Sequence, residues 1–271
     1  MDNVYLIKFG GNAIRGRQDL LRLSDDIHRM IRDGAKVVLV HGGGPEISEE
    51  MERRGVVPRK AAGLRITDEA VLDLATGVLR RLNAEVVACL EECGVRAVGI
   101  PGYFVTQCVR MAPVPITEDG VEGTADLGLV GEVSSVDAET IFDLLAEGIT
   151  PVVYPIGAQS DMQHLNVNAD TMAAGIAAGI GCREMIAITD VPGIMTDLDD
   201  PSSKLDVLTL EEVDRLIRDG IISGGMIPKA EACRKALLAG VPAVRMVNGK
   251  DPESIVSGVM NDGKKGTVIK K

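Results

Sequence analysis

The 271-residue sequence predicts an α/β fold, with a mostly parallel sheet covered by helices on both faces. Two observations carry this. Short β-branched runs alternate with helical segments along the chain. The strand segments are continuously apolar rather than alternating, as strands buried on both faces are. Aromatic residues are scarce, with three Tyr, three Phe and no Trp, so the core must be packed from Val, Ile, Leu, Ala and Met.

Taken in order, residues 4–9 open with Val4-Tyr5-Leu6-Ile7 and read as a strand, which leads into Lys8-Phe9-Gly10-Gly11-Asn12. Residues 18–32 form an amphipathic helix with His28 at its surface. Residues 36–40 are a buried strand that runs into His41-Gly42-Gly43-Gly44-Pro45 and then a helix. The long helix 68–93 follows Gly63-Leu64-Arg65-Ile66-Thr67-Asp68, and strand 95–100 comes after it. Between about 103 and 133, Gly, Pro and short β-type runs predict hairpins, a flap beside the main sheet. Helix 137–147, strand 150–154, the small-residue helix 171–180 and strand 184–189 resume the alternation. A polar surface loop at 197–203 precedes helices 209–219 and 229–239 and strand 241–247. Thr209 and Glu212 have the spacing that reciprocally satisfies two orphan backbone donors at a helix start. No Pro/Ser-rich linker or tandem repeat divides the chain, which leaves one large domain or two lobes sharing a sheet.

With 29 basic and 40 acidic residues the net charge is −11, which disfavours nucleic acid and anionic lipid as partners. Any phosphate site must therefore be locally positive. The five cysteines, Cys89, Cys93, Cys108, Cys182 and Cys233, are odd in number and contain no C-x-x-C pair, so they read as small core thiols. No charged-then-apolar leader and no apolar run of ~18 residues is present, and a reduced, cytoplasmic protein is expected.

Lys8 and Lys229 each stand in a glycine-rich segment, the second in Gly224-Gly225-Met226-Ile227-Pro228-Lys229, which opens a helix. Glycine lets backbone approach a polyanion, and lysine supplies a mobile point charge. The strand that ends at Gly42-Gly43-Gly44 aims free N–H groups and a positive helix end at an anion. The three together suggest phosphoryl transfer without a P-loop. The dinucleotide pattern G-x-G-x-x-G fails because Ile47 occupies the third glycine position, and Gly258–Lys265 resembles a P-loop only until Lys265 replaces the required Ser/Thr. In Asn166-Val167-Asn168-Ala169-Asp170, Asp170 reads either as a helix N-cap or as a carboxylate that positions the lysines. Arg65 reads either as a surface charge or as a clamp for a carboxylate. His41 and His164 have neither metal spacing nor a nucleophile partner.

These segments, in this order, resemble the motif set of the amino acid kinase family, and within it the acetylglutamate kinase branch. Asp126–Val133 and Gly266–Ile269 fit as well, so the match runs nearly end to end. The resemblance implies a three-layer αβα sandwich with an open sheet and a β-hairpin flap. It implies an N-terminal lobe, 1–180, for the acyl-amino acid and dimerisation, and a C-terminal lobe, 181–271, for ATP. The reaction it implies is ATP-dependent phosphorylation of the side-chain carboxylate of N-acetyl-L-glutamate, giving an acyl phosphate in arginine biosynthesis, with Mg²⁺ carried on the ATP.

By the same resemblance, Lys8 and Lys229 neutralise the transferring group and Asp170 orients both. Gly10, Gly11, Gly43 and Gly44 shape and contact the phosphoryl site, Arg65 takes the α-carboxylate and Asn166 the amide portion. Asp190, Val191, Pro192, Gly193, Ile194, Met195, Ile222 and Ser223 line the nucleotide pocket. No metal-ligating residue of the protein is expected.

Two departures bear on the acceptor. Glu46 replaces the glutamine usual after Gly-Gly-Gly-Pro, and Gly99–Phe104 lacks the usual Lys-Asp-Gly pattern, while Gly63–Asp68 favours acetylglutamate. The alternatives are a kinase of another acylated acidic amino acid, such as a carrier-protein-linked aminoadipate, or a catalytically silent ligand-binding homologue. Only seven residues precede Lys8, where arginine-inhibited relatives carry an extra helix, so an arginine-insensitive homodimer is expected.

Overall fold

The computed structural model describes residues 3–11, 13–14, 16–118, 121–197, 200–222, 226–251 and 265–271. Its elements, in chain order, are β1 (Val4–Phe9), α1 (Gly16–Arg32), β2 (Lys36–His41), α2 (Gly44–Arg53), β3 (Lys60–Ala61), β4 (Leu64–Arg65), α3 (Glu69–Glu92) and β5 (Ala97–Pro101). A 3-10 turn (Gly102–Phe104) leads to β6 (Thr106–Arg110), β7 (Val114–Glu118), β8 (Val121–Ala125), β9 (Val130–Val136), α4 (Ala138–Ala146), β10 (Thr150–Tyr154), β11 (Ile156–Ala158) and β12 (His164–Val167). The remainder is α5 (Ala169–Gly179), β13 (Glu184–Thr189), β14 (Val207–Thr209), α6 (Leu210–Arg218), α7 (Met226–Leu238), β15 (Ala243–Asn248) and β16 (Thr267–Lys270).

The main sheet has eight strands in the order β14-β16-β15-β13-β1-β2-β10-β5. All pairs are parallel except β15 with β16. Successive side chains of a strand point to opposite faces, so each strand feeds two cores. Val4 and Leu6 pack with Val38 and Val40 against helices α4 to α7. Tyr5, Ile7 and Phe9 pack with Val37 and Leu39 against α1 and α3. The result is the expected three-layer sandwich.

β1 is central, with β2 on one side and β13 on the other. In open parallel sheets ligands settle outside the carboxyl ends of the strands, where the strand order reverses, and both lysine motifs and the glycine loops lie at that end. The four strands β13 to β16 form one half of the sheet, and β1, β2, β5 and β10 the other.

The flap is present and larger than expected. β7 and β8 form an antiparallel ribbon, and β6 and β9 join β11 and β12 in a second sheet. Strands β11, β12, β14 and β16 were too short to stand out in the sequence. The Thr209–Glu212 capping box is formed. Among the described residues helix α7 runs from Met226, ahead of Lys229. No helix among the described residues is long and apolar enough to cross a membrane.

Candidate active site

The loops after β1 and β2 touch each other. A Cβ on Gly10 would stand 2.8 Å from the Gly42 nitrogen and 2.9 Å from its Cα, and Gly10 has φ +143°. Only glycine permits both the conformation and the approach. Gly10, Gly11, Gly42, Gly43 and Gly44 line a cleft of about 280 Å³ together with Lys8, Arg65 and Asn166.

Arg65 is carried into this cleft by the β3–β4 hairpin, whose two turn residues both have positive φ, Ala62 at 48° and Gly63 at 78°. Arg65 as a whole is 9% exposed. It donates to the Gly44 carbonyl at 3.1 Å, to Ser48 Oγ at 2.8 Å and toward Met51 sulfur at 2.9 Å, none of them a carboxylate. Burial lowers its pKa, yet an arginine starts from so high a value that it stays charged. A buried cation held by neutral groups at a cleft wall is ready to receive an anion.

Asn166 on β12 donates through Nδ2 to Thr67 Oγ1 at 3.0 Å, and Thr67 in turn donates to the Arg65 carbonyl at 3.0 Å. Thr67 is fully buried and pinned to the flap by its own backbone, with N–H to Leu127 and carbonyl from Leu129. It thereby couples the two polar walls, a part its place in the sequence did not reveal.

On the other side of Lys8 a second cleft, about 260 Å³, is lined by Gly11, Asp170, Asp190, Lys229, Met185, Ala187 and Met246 among others. Lys8 Nζ stands 2.7 Å from Asp170 Oδ1. Lys229 pairs instead with Asp190, at the end of β13. The expectation that Asp170 holds both lysines is thus corrected to two lysine–carboxylate pairs facing one space, Lys8 with Asp170 and Lys229 with Asp190. Lys229, by hydrogen bond and charge, holds the Asp190 carboxyl below its usual range against the opposing effect of burial. The N-cap of α5 is Asn168, whose side chain accepts from the N–H groups of Asp170 and Thr171. Capping is therefore assigned elsewhere, and Asp170 is left to Lys8.

The rest of the expected nucleotide segment divides. Asp190 lines the second cleft, whereas Ile194, Met195 and Ile222 are buried core residues whose side chains do not line it. Val191 N–H turns back to Thr189 Oγ1, and Ile194 N–H donates to Thr267 Oγ1 at 2.8 Å. Pro192 likewise does not line the cleft, and a Cβ on Gly193 would meet Thr267 Oγ1 at 2.5 Å. Ser223 and Gly224-Gly225 lie outside the described residues, as do Asn12 and most of Gly258–Lys265. The apolar floor of Met185, Ala187 and Met246 was missed, since buried strand residues carry no sequence mark of facing a cavity.

Cys233 also borders this cleft, but burial, reinforced by the Asp170 charge and eased by Lys8, pushes its thiol up to about 12. It is a neutral wall and no nucleophile. Among the described residues no three His, Cys, Asp or Glu side chains converge as a metal-binding group. Neither departure in sequence lines the first cleft. Glu46 faces a small cavity with His41 and Glu85, and its Oε2 is buried without a hydrogen-bond partner among the described residues. Gly102 packs on Met172, and Tyr103 stacks on His164 at 4.6 Å.

What this arrangement can do is hold an anion on each side of a lysine-rich centre, with glycine loops at the middle. The chain resembles an acetylglutamate kinase of Methanococcus aeolicus, 39% identical over 99% of this chain and 92% of that one. An acetylglutamate kinase of Methanosarcina mazei is 37% identical over 99% and 93%. Among solved structures, N-acetylglutamate synthase from Neisseria gonorrhoeae with coenzyme A and N-acetyl-glutamate superposes with TM-score 0.80 at 23% identity. It covers 99% of this chain, which spans 59% of that longer one. Giardia carbamate kinase superposes with TM-score 0.70 at 17% identity, covering 100% and 99%. The pattern of the amino acid kinase family matches residues 3–248, taking in both lysines, both glycine loops and both carboxylates, and the chain belongs to the amino acid kinase family.

Proposed function

We infer that this chain transfers the γ-phosphoryl group of ATP to the side-chain carboxylate of N-acetyl-L-glutamate, giving an acyl phosphate, a step of arginine biosynthesis. The single observation that carries the reading is the placement of Lys8 between two clefts. One is walled by a carboxamide and a buried arginine that has no carboxylate partner among the described residues, and the other by Lys229 and Asp190. Relatives 37–39% identical over nearly the whole chain support the acceptor.

Phosphoryl transfer asks a protein mainly for positioning and charge stabilisation. In this reading Arg65 binds the α-carboxylate of the acceptor and Asn166 its amide, which leaves the side-chain carboxylate directed at the glycine loops. That carboxylate is ionised near neutral pH and needs no general base. Lys8, oriented by Asp170, and Lys229, oriented by Asp190, approach the transferring group from its two sides. Backbone N–H groups of Gly11 and Gly44 supply further donors, because the first N–H groups of α2 have no intrahelical acceptor.

ATP occupies the cleft of Asp190 and Lys229, and Mg²⁺ would arrive on its phosphates and supply charge neutralisation there, with Asp190 and Lys229 holding the nucleotide. The half of the sheet after residue 180 serves the nucleotide and the half before it the acceptor. The protein acts in the cytoplasm as a homodimer without nucleic-acid or membrane partners.

The test is ATP-dependent hydroxamate formation across a panel of acylated acidic amino acids. Turnover of N-acetylglutamate is expected. Turnover of aminoadipate derivatives alone would overturn the acceptor, and nucleotide binding without turnover on any of them would overturn the activity.

A further inference from the structure

Behind the second glycine loop lies a buried polar relay that touches neither cleft's ligand groups. His41 closes β2 and is 2% exposed, and Asn83, midway along α3, is 5% exposed. Asn83 Nδ2 donates to the Val152 carbonyl at 2.9 Å and stands 3.1 Å from His41 Nε2. His41 Nδ1 stands 2.7 Å from the Gly42 carbonyl oxygen.

The protons in this relay follow from its partners. If the carboxamide were turned over, its oxygen would face the Val152 carbonyl oxygen, acceptor to acceptor. The nitrogen therefore occupies that place, and with one hydrogen on Val152 its second points at Nε2. Nε2 is then an acceptor, the ring proton resides on Nδ1, and Nδ1–H donates to Gly42 C=O. Burial lowers the ring's pKa to about 4, so one neutral tautomer is present at physiological pH.

We propose that His41, held in this tautomer by Asn83, is a positioning residue for the transfer: it fixes the plane of the Gly42–Gly43 peptide and so the direction of the Gly43 N–H at the cleft. A peptide group is planar, so anchoring its oxygen orients its N–H on the opposite side. Gly42 is also held at its other end, where its N–H donates to the Phe9 carbonyl at 2.8 Å. The Gly43 carbonyl accepts from Ile47 N–H at 2.9 Å. Gly43 cannot back away, since a Cβ there would already stand 2.8 Å from Leu79 Cδ2 and 2.9 Å from Leu82 Cδ1 on the same helix α3. Three consecutive glycines would otherwise have the widest conformational freedom a chain offers. Helix α3 removes it from behind, through one imidazole and two leucines.

This rests on the proposed phosphoryl contacts of the Gly11 and Gly44 N–H groups, to which it adds the Gly43 N–H, and the experiment separates the two. In His41→Asn the carboxamide nitrogen reaches the place of Nδ1 and keeps the donor to Gly42. In His41→Gln the nitrogen reaches the place of Nε2 and the donor is lost. We expect kcat of His41→Asn within about threefold of the unsubstituted chain, and that of His41→Gln lower by on the order of 10²-fold with both KM values little changed. Long-range ¹⁵N–¹H spectra of the unsubstituted chain should place the His41 ring proton on Nδ1. Equal kcat losses in the two variants, or a ring proton on Nε2, would overturn the proposal. The ring measurement uses no substrate and no variant. Inactivity of the unsubstituted chain toward N-acetylglutamate therefore counts against the acceptor and leaves the relay to be judged by its tautomer.

Discussion

Lys8 Nζ and Asp170 Oδ1 stand 2.7 Å apart and join the end of β1 to the first turn of α5. The pair has a division of labour with Asn168, which caps α5 and leaves the Asp170 carboxylate free for the lysine. A carboxylate in the first turn of a helix is also favoured by the positive helix end. Lys8 is thus held pointing at the space between the clefts before any substrate arrives.

Asp170→Asn keeps the shape of the side chain and removes its charge. Lys8 loses its anchor, so kcat should fall by about 10²-fold, while KM for either substrate changes only a few-fold. Steady-state kinetics of the variant decide it, and a wild-type kcat would remove Asp170 from the site.

Lys229 paired with Asp190, and not with Asp170, has its own signature in a double-mutant cycle. Lys229→Ala with Asp190→Ala should show a coupling of about 0.5–3 kcal/mol in kcat/KM for ATP. Lys229→Ala with Asp170→Ala should be more nearly additive. Strong coupling in the second cycle and none in the first would restore Asp170 as the common partner.

Why the lysines could be read from the sequence and their partners could not is a matter of range. Lys8 sits beside its own glycines after an apolar run, so the local pattern already points to an anion site. Which carboxylate meets which lysine depends on β13 lying against β1, a pairing no local pattern encodes. Arg65 was legible as a candidate, but its hairpin was not, because Ala62-Gly63 lacks the Asn-Gly or Asp-Gly signature of a two-residue turn with positive φ. The main strands were legible from continuous burial. Short strands such as β11 and β12 take their stability from neighbours in the second sheet rather than from propensity.

Arg65→Lys should raise KM for the acceptor by roughly 10- to 100-fold and leave KM for ATP near its original value, since a lysine cannot reproduce a planar fork and hydrogen bonds to charged groups contribute ~1.5–3 kcal/mol. Kinetics with each substrate varied in turn separate the two. An equal rise in both KM values would mean that Arg65 supports the loop and not the acceptor.

Gly10 and Gly11 make a matched pair for a stability test. Both have positive φ, but a Cβ on Gly11 meets nothing within 4 Å, whereas one on Gly10 meets the backbone of Gly42. Gly11→Ala should cost only the left-handed backbone term of about 1–2 kcal/mol. Gly10→Ala should cost more, by roughly a further 1–3 kcal/mol, because backbone has to move. Urea unfolding midpoints measure the difference, and equal losses would show that the two glycine loops do not depend on their contact.

His41 gives the fold a pH dependence of predictable sign. Its pKa is about 4 in the folded chain and about 6.5 when unfolded, so between those values the unfolded state binds the extra proton. Stability then rises with pH across that window, by up to ~1.4 kcal/mol per pH unit from this group alone, and is complete above about pH 6.5. His41→Asn has no titrating ring and should lose less stability between pH 7 and pH 5 than the unsubstituted chain, by roughly 2 kcal/mol. Glu46 and Glu85, which line the same small cavity, are present in both proteins, so comparing the two pH profiles isolates the ring. Chemical unfolding of both proteins at the two pH values measures this. Parallel profiles would mean that the imidazole is hydrated or charged within the fold, and that a single neutral tautomer accepting from Asn83 is not its resident form.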